Sequence, residues 1–327
     1  MQGMTTIGLD LAKRVFQVHA IDQQGQVVIT KRLQRAEVRS WFARLAPCLV
    51  GIECCASSNY WARELSKLGP RVKLIPPAYV KPYVRRQKHA RADAAAICEA
   101  VRRPSLRLVE IKTLDQQAIQ VWHRGRELLV AQQTQLINAL RAHLAEFGHI
   151  FPQGNPGVLQ AIALVRGTAD ETVPALARQG VLSLSEQLER LKVEIAKLNR
   201  QLLSWHRAHA ESLRLATIPG IGQITVSAIV AAVGNGQQFH SAREFAAWIG
   251  LVPRQHSTGG KSRLGRISKQ GNRYLRQLLV WGATSDLRSH RERTRGSNNS
   301  CGAKRPASPA WPWSTSWRVS PGPSLPK

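Results

Sequence analysis

Residues 6–10, TIGLD, form a short apolar run that ends on an acid, and residues 48–53, CLVGIE, repeat that arrangement. Two further β-branched stretches lie between them, VFQVHA at 15–20 and QVVITKRL at 26–33, with Gly25 marking a turn. Short stretches of this kind predict strands, here a β-hairpin or meander that opens a sheet.

Helical patterns then alternate with strands. We expect one helix over residues 38–45 and another over 60–68, which ends before a Gly-Pro pair and precedes a strand at 72–76. Strands that alternate with helices after an antiparallel start indicate a mixed sheet with helices on its faces. The predicted fold class of residues 1–112 is therefore α/β.

Residues 113–212 predict a helical linker. The pattern is helical from about Leu114 to Phe147, and a second helix follows the loop at residues 152–157. Its apolar residues alternate steps of four and three, the spacing of a coiled-coil seam: Leu184, Leu188, Leu191, Ile195, Leu198 and Leu202. The seam can close on the preceding helix or on another subunit, and an ordinary two-helix hairpin fits equally well.

Residues 213–290 predict a mostly α-helical domain. The run Ile218-Pro219-Gly220-Ile221-Gly222 lies between two helical stretches and predicts a helix–hairpin–helix-like element. Gly220 and Gly222 would let backbone amides approach a phosphate at a helix N-terminus. A plain tight turn between helices explains the same pattern.

The charge of the chain restricts its partners. Its 327 residues include 47 Lys and Arg against 20 Asp and Glu, a net charge of +27, which favours binding to nucleic acid. No apolar run reaches the roughly 18 residues of a membrane span, and the N-terminus lacks the pattern of a secretory signal. The five cysteines form no CxxC pair or zinc spacing. We expect a soluble protein of a reducing compartment with no membrane partner.

Three acids are candidate ligands for a metal. Asp10 and Glu53 each end a predicted strand, where neighbouring carboxylates can hold a divalent cation, although each also fits a solvated strand end. Asp93 lies on a predicted helix after a basic stretch: Lys81, Arg85, Arg86, Lys88 and Arg91. Phosphates bound by these basic side chains would contact the metal, as in two-metal phosphoryl transfer.

The segment from Pro253 to Arg276 contains seven Lys and Arg and no acid. Its glycines and hydroxyl residues predict a mobile loop before a basic helix. Ser257 in this loop could attack a phosphodiester, but composition alone favours a loop that only contacts phosphates. The candidate phosphate-binding residues are Arg254, Lys261, Arg263, Arg266, Lys269 and Arg273.

Two stretches resemble a known family. GIECCASSNYWARELSKLG, with VKLIPPAYVKPYVRRQKHARADAAAICEAVRR after it, resembles the N-terminal domain of the DEDD-type insertion-sequence transposases of the insertion sequence 110 family, closest to its 1111 subgroup. LATIPGIGQITVSAIVAAVG and FAAWIGLVPRQHSTGGKSRLGRISKQGNRYLRQLL resemble the C-terminal domain of that family. The resemblance covers roughly residues 5–290.

The resemblance implies an RNase H/RuvC-like domain whose four acids bind Mg²⁺, a coiled-coil linker, and a C-terminal catalytic serine that forms a serine–DNA intermediate. It also implies a structured bridge RNA from the element that pairs with donor and target DNA, and a homo-tetramer or dimer in the bacterial cytoplasm, associated with the nucleoid. By position, Asp10, Glu53 and Asp93 match the first, second and last acids. The serine matches Ser257, and a one-residue gap would substitute Thr258.

The sequence departs from the family at the third acid. The family pattern KxDxxDA appears here as KHARADA over residues 88–94, so that Ala90 stands where an aspartate belongs and Arg91 adds a positive charge beside it. Alanine cannot bind a metal. We therefore expect impaired or absent activity in this copy.

The tail, residues 291–327, is a second departure. Its Pro- and Trp-rich end, SPAWPWSTSWRVSPGPSLPK, can be encoded by codons that read PGVAVVNKLARIAWAILAK in another frame, which is the helix expected for the family. We hypothesise a frameshift between about Arg288 and Pro309, and a tail that is disordered.

Two alternatives to an RNA-guided transposase remain at this point. One is a relic that binds nucleic acid without chemistry. The other is a RuvC-like nuclease that hydrolyses branched DNA with no covalent intermediate.

Overall fold

The computed structural model describes residues 3–84, 89–167, 172–234 and 236–297. It separates into two compact units, residues 1–113 and 114–327, called here the N-terminal and C-terminal units. The finer division predicted at residues 212 and 290 stays a prediction. The prediction of disorder from residue 291 was wrong for residues 291–297, which end the last helix, and the rest of the predicted tail lies outside the described residues.

The N-terminal unit is built on one mixed sheet. Its strands are β1 (Thr6–Leu11), β2 (Val15–Ile21), β3 (Val27–Gln34), β4 (Leu49–Glu53) and β5 (Arg71–Ile75). Their order is β3-β2-β1-β4-β5, with β1, β4 and β5 parallel and β2 antiparallel to its neighbours. The predicted α/β class and the mixed sheet of an RNase H-like domain are confirmed.

Four helices accompany this sheet: α1 (Val38–Phe42), α2 (Ser58–Ser66), α3 (Pro77–Val80), which continues into a 3-10 turn at Lys81–Tyr83, and α4 (Ala90–Val101). Alternate strand residues point to opposite faces. One face is buried together with residues of α1 and α2. The other face carries α4.

Two glycines let α4 lie directly on the sheet. A Cβ at Gly8 would sit 2.0 Å from the carbonyl oxygen of Ala94, and one at Gly51 would sit 2.8 Å from Cβ of Val101. Gly8 and Gly51 are opposite each other in the β1–β4 pairing. Because strand residues two apart share a face, Asp10 and the acid that ends β4 also belong to the face that α4 covers.

The C-terminal unit is mainly helical. Its elements are α5 (Leu114–Ala145), α6 (Asn155–Arg166), α7 (Ala175–Ala208), α8 (Ala210–Leu215), α9 (Gln223–Val233), α10 (Ala242–Trp248), β6 (Pro253–Gln255), β7 (Leu264–Ile267) and α11 (Arg273–Ser297). No helix in the described part of the chain is both long and apolar enough to cross a bilayer.

The prediction of a plain loop at residues 152–157 was wrong, because α6 begins inside it. Pro156 occupies the first turn of the helix, where its missing N–H costs nothing. Gly157 allows the close approach of the preceding chain, since its Cβ would lie 2.0 Å from the carbonyl oxygen of Pro152. The Pro-Gly signal therefore marks a helix start here.

The predicted seam of α7 is used within the chain. Leu188 and Leu202 are fully buried, and Leu188 packs in a cluster with Leu140 of α5. Arg126 of α5 donates from Nε to Oδ1 of Asn199 on α7 over 2.7 Å. The two long helices therefore pair as a hairpin, and a coiled coil between subunits stays a prediction.

Replacing Gly8 by alanine should destabilise the N-terminal unit by about 3 kcal/mol, because the new methyl group collides with the backbone of α4. Urea unfolding followed by circular dichroism measures the effect. Gly180→Ala in α7 is the matched control, since nothing lies within 4 Å of its Cβ, and it should stabilise the chain by about 0.5–1 kcal/mol. A Gly8→Ala chain as stable as the wild type would contradict the close packing of α4.

Candidate active site

Two of the predicted metal-binding acids stand at neighbouring strand ends. The β1–β4 pairing runs to Leu9 and Ile52, and Asp10 and Glu53 follow directly, both half-buried. Asp93 is in the first turn of α4 and is also half-buried. The sheet therefore brings the first two acids to one edge, and the third belongs to the helix on the same face.

The direction of α4 follows from its contacts with β1. Cys98 lies against the carbonyl oxygen of Thr6 at a sulfur–oxygen distance of 3.8 Å, and Ala94 lies against Gly8. The helix therefore runs antiparallel to β1, and its first turn reaches the end where Asp10 stands. Burial raises the pKa of the Cys98 thiol to about 11, so this cysteine is a neutral packing residue.

Ala90 continues the face of α4 that packs on the sheet. Ala94, Ile97 and Val101 are buried there, and Ala90 precedes Ala94 by four residues, so that it is one turn further along the same face. A carboxylate at position 90 would extend towards the strand-end acids. Alanine leaves this position without a ligand.

Carboxylate oxygens are suitable ligands for a hard divalent cation, but too few carboxylates are present for a complete site. Among the described residues, no group of three or more His, Cys, Asp or Glu side chains is placed to hold a metal ion. The three acids, as folded, therefore do not make a complete metal site.

The same face carries an arginine on the β2–β3 side of the acids. Asp10 pairs with Gln17, and Gln17 pairs with Arg32, so these three side chains form one row across the sheet. Arg91 of α4 and burial together lower the pKa of His19 on β2, with burial the larger cause. The place of Arg32 in this row was not predicted from the sequence, because strand register is needed to see the row.

The predicted basic lead into α4 is described only in part. Lys81 is in the exposed 3-10 turn. Arg85, Arg86 and Lys88 lie outside the described residues.

The serine segment is a β-hairpin. β6 and β7 pair antiparallel, and Thr258 and Lys261 exchange backbone hydrogen bonds of 3.3 and 3.0 Å. Gly259 and Gly260 between them have φ values of 53° and 74°, as a two-residue hairpin turn with both central residues left-handed requires.

The predicted loop before a basic helix was therefore wrong. The Gly-Gly pair closes a hairpin, because only glycine adopts two successive positive φ angles without strain. Five of the candidate basic residues lie on this hairpin or just after it, and only Arg273, the first residue of α11, is helical: Arg254, Lys261, Arg263, Arg266 and Lys269.

The hairpin fixes the Ser257 hydroxyl. Its Oγ accepts hydrogen bonds from Nε2 of Gln255 over 2.9 Å and from the backbone N–H of Arg263 over 3.1 Å. Donors directed at an oxygen stabilise negative charge on it. The neighbouring His256 donates its backbone N–H to the carbonyl oxygen of Arg263 over 2.9 Å.

The hydroxyl of Thr258 makes no hydrogen bond within the described ranges, and its backbone is used by the turn. Of the two hydroxyls, only that of Ser257 has hydrogen-bond partners in the described part of the chain, and which residue reacts stays a prediction.

Gly220 and Gly222 have different environments. A Cβ at Gly282 of α11 would lie 1.9 Å from the carbonyl oxygen of Gly220, so Gly220 serves the packing of its turn against that helix. Gly222 precedes α9 and has open space around it. Of the two predicted phosphate-binding glycines, only Gly222 has room for a ligand.

The base of the hairpin is tied to the helical core. Arg276 donates to the carbonyl oxygens of Ile249 and Gln270 over 2.7 and 2.9 Å. Tyr274 shares a 3.1 Å hydrogen bond with Nδ1 of the buried His123 on α5. These contacts hold the start of α11 where the hairpin ends.

Two family models of known proteins match the chain. Residues 212–297 match the model described as the transposase IS116/IS110/IS902 family, and residues 7–149 match the DEDD model of IS110 transposases, described as transposase.

Relatives match over most of their length. The chain is 48% identical over 286 residues to a probable family 20 transposase of Pseudomonas aeruginosa, which covers 87% of this chain and 85% of that protein. It is 42% identical over 281 residues to the transposase for insertion sequence element IS1328 of Yersinia enterocolitica, covering 86% and 83%. It is 37% identical over 294 residues to the transposase for insertion sequence element IS1111A of Coxiella burnetii, covering 90% and 81%.

Stability should fall in acid because of His123. Burial, with smaller effects of Arg126 and Arg124, lowers the pKa of His123 from 6.5 to about 4. Between these values the unfolded chain binds a proton that the folded chain does not, so the stability that neutral His123 provides is present above pH 6.5 and is lost as pH falls towards 4.

Urea unfolding of the wild type and of His123→Gln, from about pH 7 to about pH 4.5, measures this loss. The wild type should lose up to about 3 kcal/mol more than the variant over this range. Parallel pH profiles of the two chains would contradict a buried neutral histidine.

Proposed function

The chain belongs to the IS116/IS110/IS902 family of DEDD transposases, enzymes that cut and rejoin DNA, and from this we propose that it recombines insertion-sequence ends through a serine–DNA intermediate. The observation that carries the proposal is the hydroxyl of Ser257, exposed on a hairpin and held by two hydrogen-bond donors. Thr258 has no comparable support among the described residues.

In the proposed chemistry each phosphoester bond that breaks is replaced by a new one, so that the energy of the phosphodiester is conserved. Oγ of Ser257 bonds to a backbone phosphorus while the bond from that phosphorus to a deoxyribose oxygen breaks, and the released oxygen takes up a proton. A hydroxyl of the new partner strand then attacks the same phosphorus and frees the serine. Donors from Gln255 and the Arg263 amide favour the step in which the serine oxygen leaves, because they stabilise its charge.

The serine hairpin supplies no carboxylate as a proton acceptor, because residues 253–276 contain no acid. The acids lie on the N-terminal unit and the serine on the C-terminal unit. We propose a homo-tetramer or dimer in which the acids of one subunit act with the serine of another.

DNA is the proposed substrate, and a structured RNA from the element is the proposed guide. The net charge of +27 and the exposed Lys and Arg side chains of the serine hairpin support binding to both DNA and RNA. Base pairing by the RNA would choose the sequence, so that the chain itself needs contacts only to the backbone.

We propose that this copy is impaired. DEDD transposases work with a divalent metal, for which Mg²⁺ is the expected ion, but Ala90 removes one carboxylate from the face where Asp10, Glu53 and Asp93 stand. The incomplete acid set also favours a second candidate function, binding of DNA and RNA without chemistry. A hydrolytic nuclease on branched DNA is the third, and it needs no serine.

Ala90→Asp should raise recombination of the element's ends by about 10-fold or more, because it supplies the missing oxygen ligand. A plasmid assay that counts joined ends measures the gain. Ala92→Asp is the matched control, since it adds the same charge in the same helical turn on another side of α4. Equal activity of the wild type and Ala90→Asp would remove the argument for an impaired site.

Trapping of the intermediate separates the three functions. In the Ala90→Asp background, denaturing gels should show a protein–DNA adduct that Ser257→Ala abolishes and Thr258→Ala retains. Cleavage that survives Ser257→Ala would favour the nuclease. Salt-sensitive RNA binding with no cleavage in any of these chains would favour the non-catalytic relic.

A further inference from the structure

The N-terminal unit carries two basic residues beside the acids that the proposed chemistry does not use. The row Asp10–Gln17–Arg32 places Arg32 two strands from Asp10 on the same face of the sheet. Neighbouring strands are about 4.8 Å apart, so the two backbones are separated by about 10 Å.

The residue between them is buried and does not pair with Arg32. Gln17 is 6% exposed, and its Nε2 donates to the carbonyl oxygens of Val18 and Lys31 over 3.3 and 3.1 Å. Because the amide is tied to the backbone, Gln17 does not reach out to hold Arg32.

Arg91 approaches from the helix above. It follows Ala90 in the first turn of α4, and its charge is the second cause, after burial, that lowers the pKa of His19 on β2. Ala94 of α4 lies against Gly8, and Gly8 pairs with His19, so the first turn of α4 approaches the face of the sheet that carries His19 and Arg32.

Neither guanidinium is neutralised by the protein. Arg32 and Arg91 are exposed, and neither forms an ion pair with any residue that the structure describes. The face is therefore divided, with carboxylates at the ends of β1 and β4 and guanidinium groups on the β2–β3 side. The guanidinium groups attract a polyanion to the β2–β3 side, and its scissile phosphate can then lie at the carboxylates.

We propose that Arg32 and Arg91 bind a backbone phosphate of the DNA strand that this unit cuts, next to the phosphate that reacts. The inference rests on the proposed function for the identity of the strand. Guanidinium groups suit this role because they donate two parallel hydrogen bonds to phosphate oxygens. The contact sets the direction and register in which the strand crosses the acids, and it reads no sequence.

The test compares the DNA affinities of variants of the full chain, measured in EDTA, where no cutting occurs. The probe is a fluorescein-labelled DNA duplex that carries an element end, and anisotropy gives the affinity. Arg32→Gln should weaken binding about 5-fold, whereas Lys31→Gln should change it less than about 2-fold. Lys31 is the matched control, because it is exposed, carries the same charge and belongs to the opposite face of β3.

Neutral methylphosphonates, placed one at a time around the element boundary, locate the contact. At one position the wild type should lose about 5-fold in affinity while Arg32→Gln loses nothing more. Arg91→Gln should couple to the same phosphate, and Arg32→Lys should retain part of the affinity. Circular dichroism of each variant checks the fold.

Three outcomes would overturn the proposal: equal losses for Arg32→Gln and Lys31→Gln, no position that couples to Arg32, or a loss seen with an RNA oligonucleotide of the same sequence and not with DNA. These affinities are independent of catalysis. If the phosphate couples but Ser257 forms no adduct in any chain, the proposed chemistry fails and the binding site stands.

Discussion

The close packing of α4 on two strand glycines is the constraint on which the N-terminal unit depends. Without side chains at Gly8 and Gly51, the helix backbone reaches the sheet itself. This contact fixes the direction of α4, and therefore which of its residues stand at the end of the sheet where Asp10 and Glu53 emerge. The chemistry of the site then depends on what the first turn of α4 presents, and here it presents Asp93 and Arg91 but an alanine at position 90.

A second local constraint shapes the serine. Two successive glycines force a tight hairpin, and the hairpin directs a backbone amide and the side chain of Gln255 at one hydroxyl. Hydrogen bonds of Arg276 and Tyr274 anchor the base of the ribbon to the helical core, while its tip is exposed. A fixed nucleophile on an exposed ribbon can enter another subunit's site, which is what the proposed assembly requires.

The sequence predicted the elements that have a local cause. The strands of the N-terminal sheet follow from short β-branched runs, and the two long helices follow from apolar spacing. What it missed depends on partners distant in the chain: Arg32 becomes part of the site only through the pairing of three strands, and Gly220 is explained only by Gly282 of α11. The serine segment was misread because glycines were taken as a loop, whereas their paired positive φ angles close a hairpin. The roles of Asp10, Glu53, Asp93 and Ser257 stay predictions.

If this chain has the fold of its family with one metal ligand missing at position 90, restoring that ligand should restore metal binding. Calorimetric titration with Mn²⁺ measures the site alone, without DNA, RNA or assembly. Ala90→Asp should bind Mn²⁺ at least about 10-fold more tightly than the wild type, and Asp10→Asn should cancel this gain. Equal affinities of the wild type and Ala90→Asp would show that position 90 is not the missing ligand.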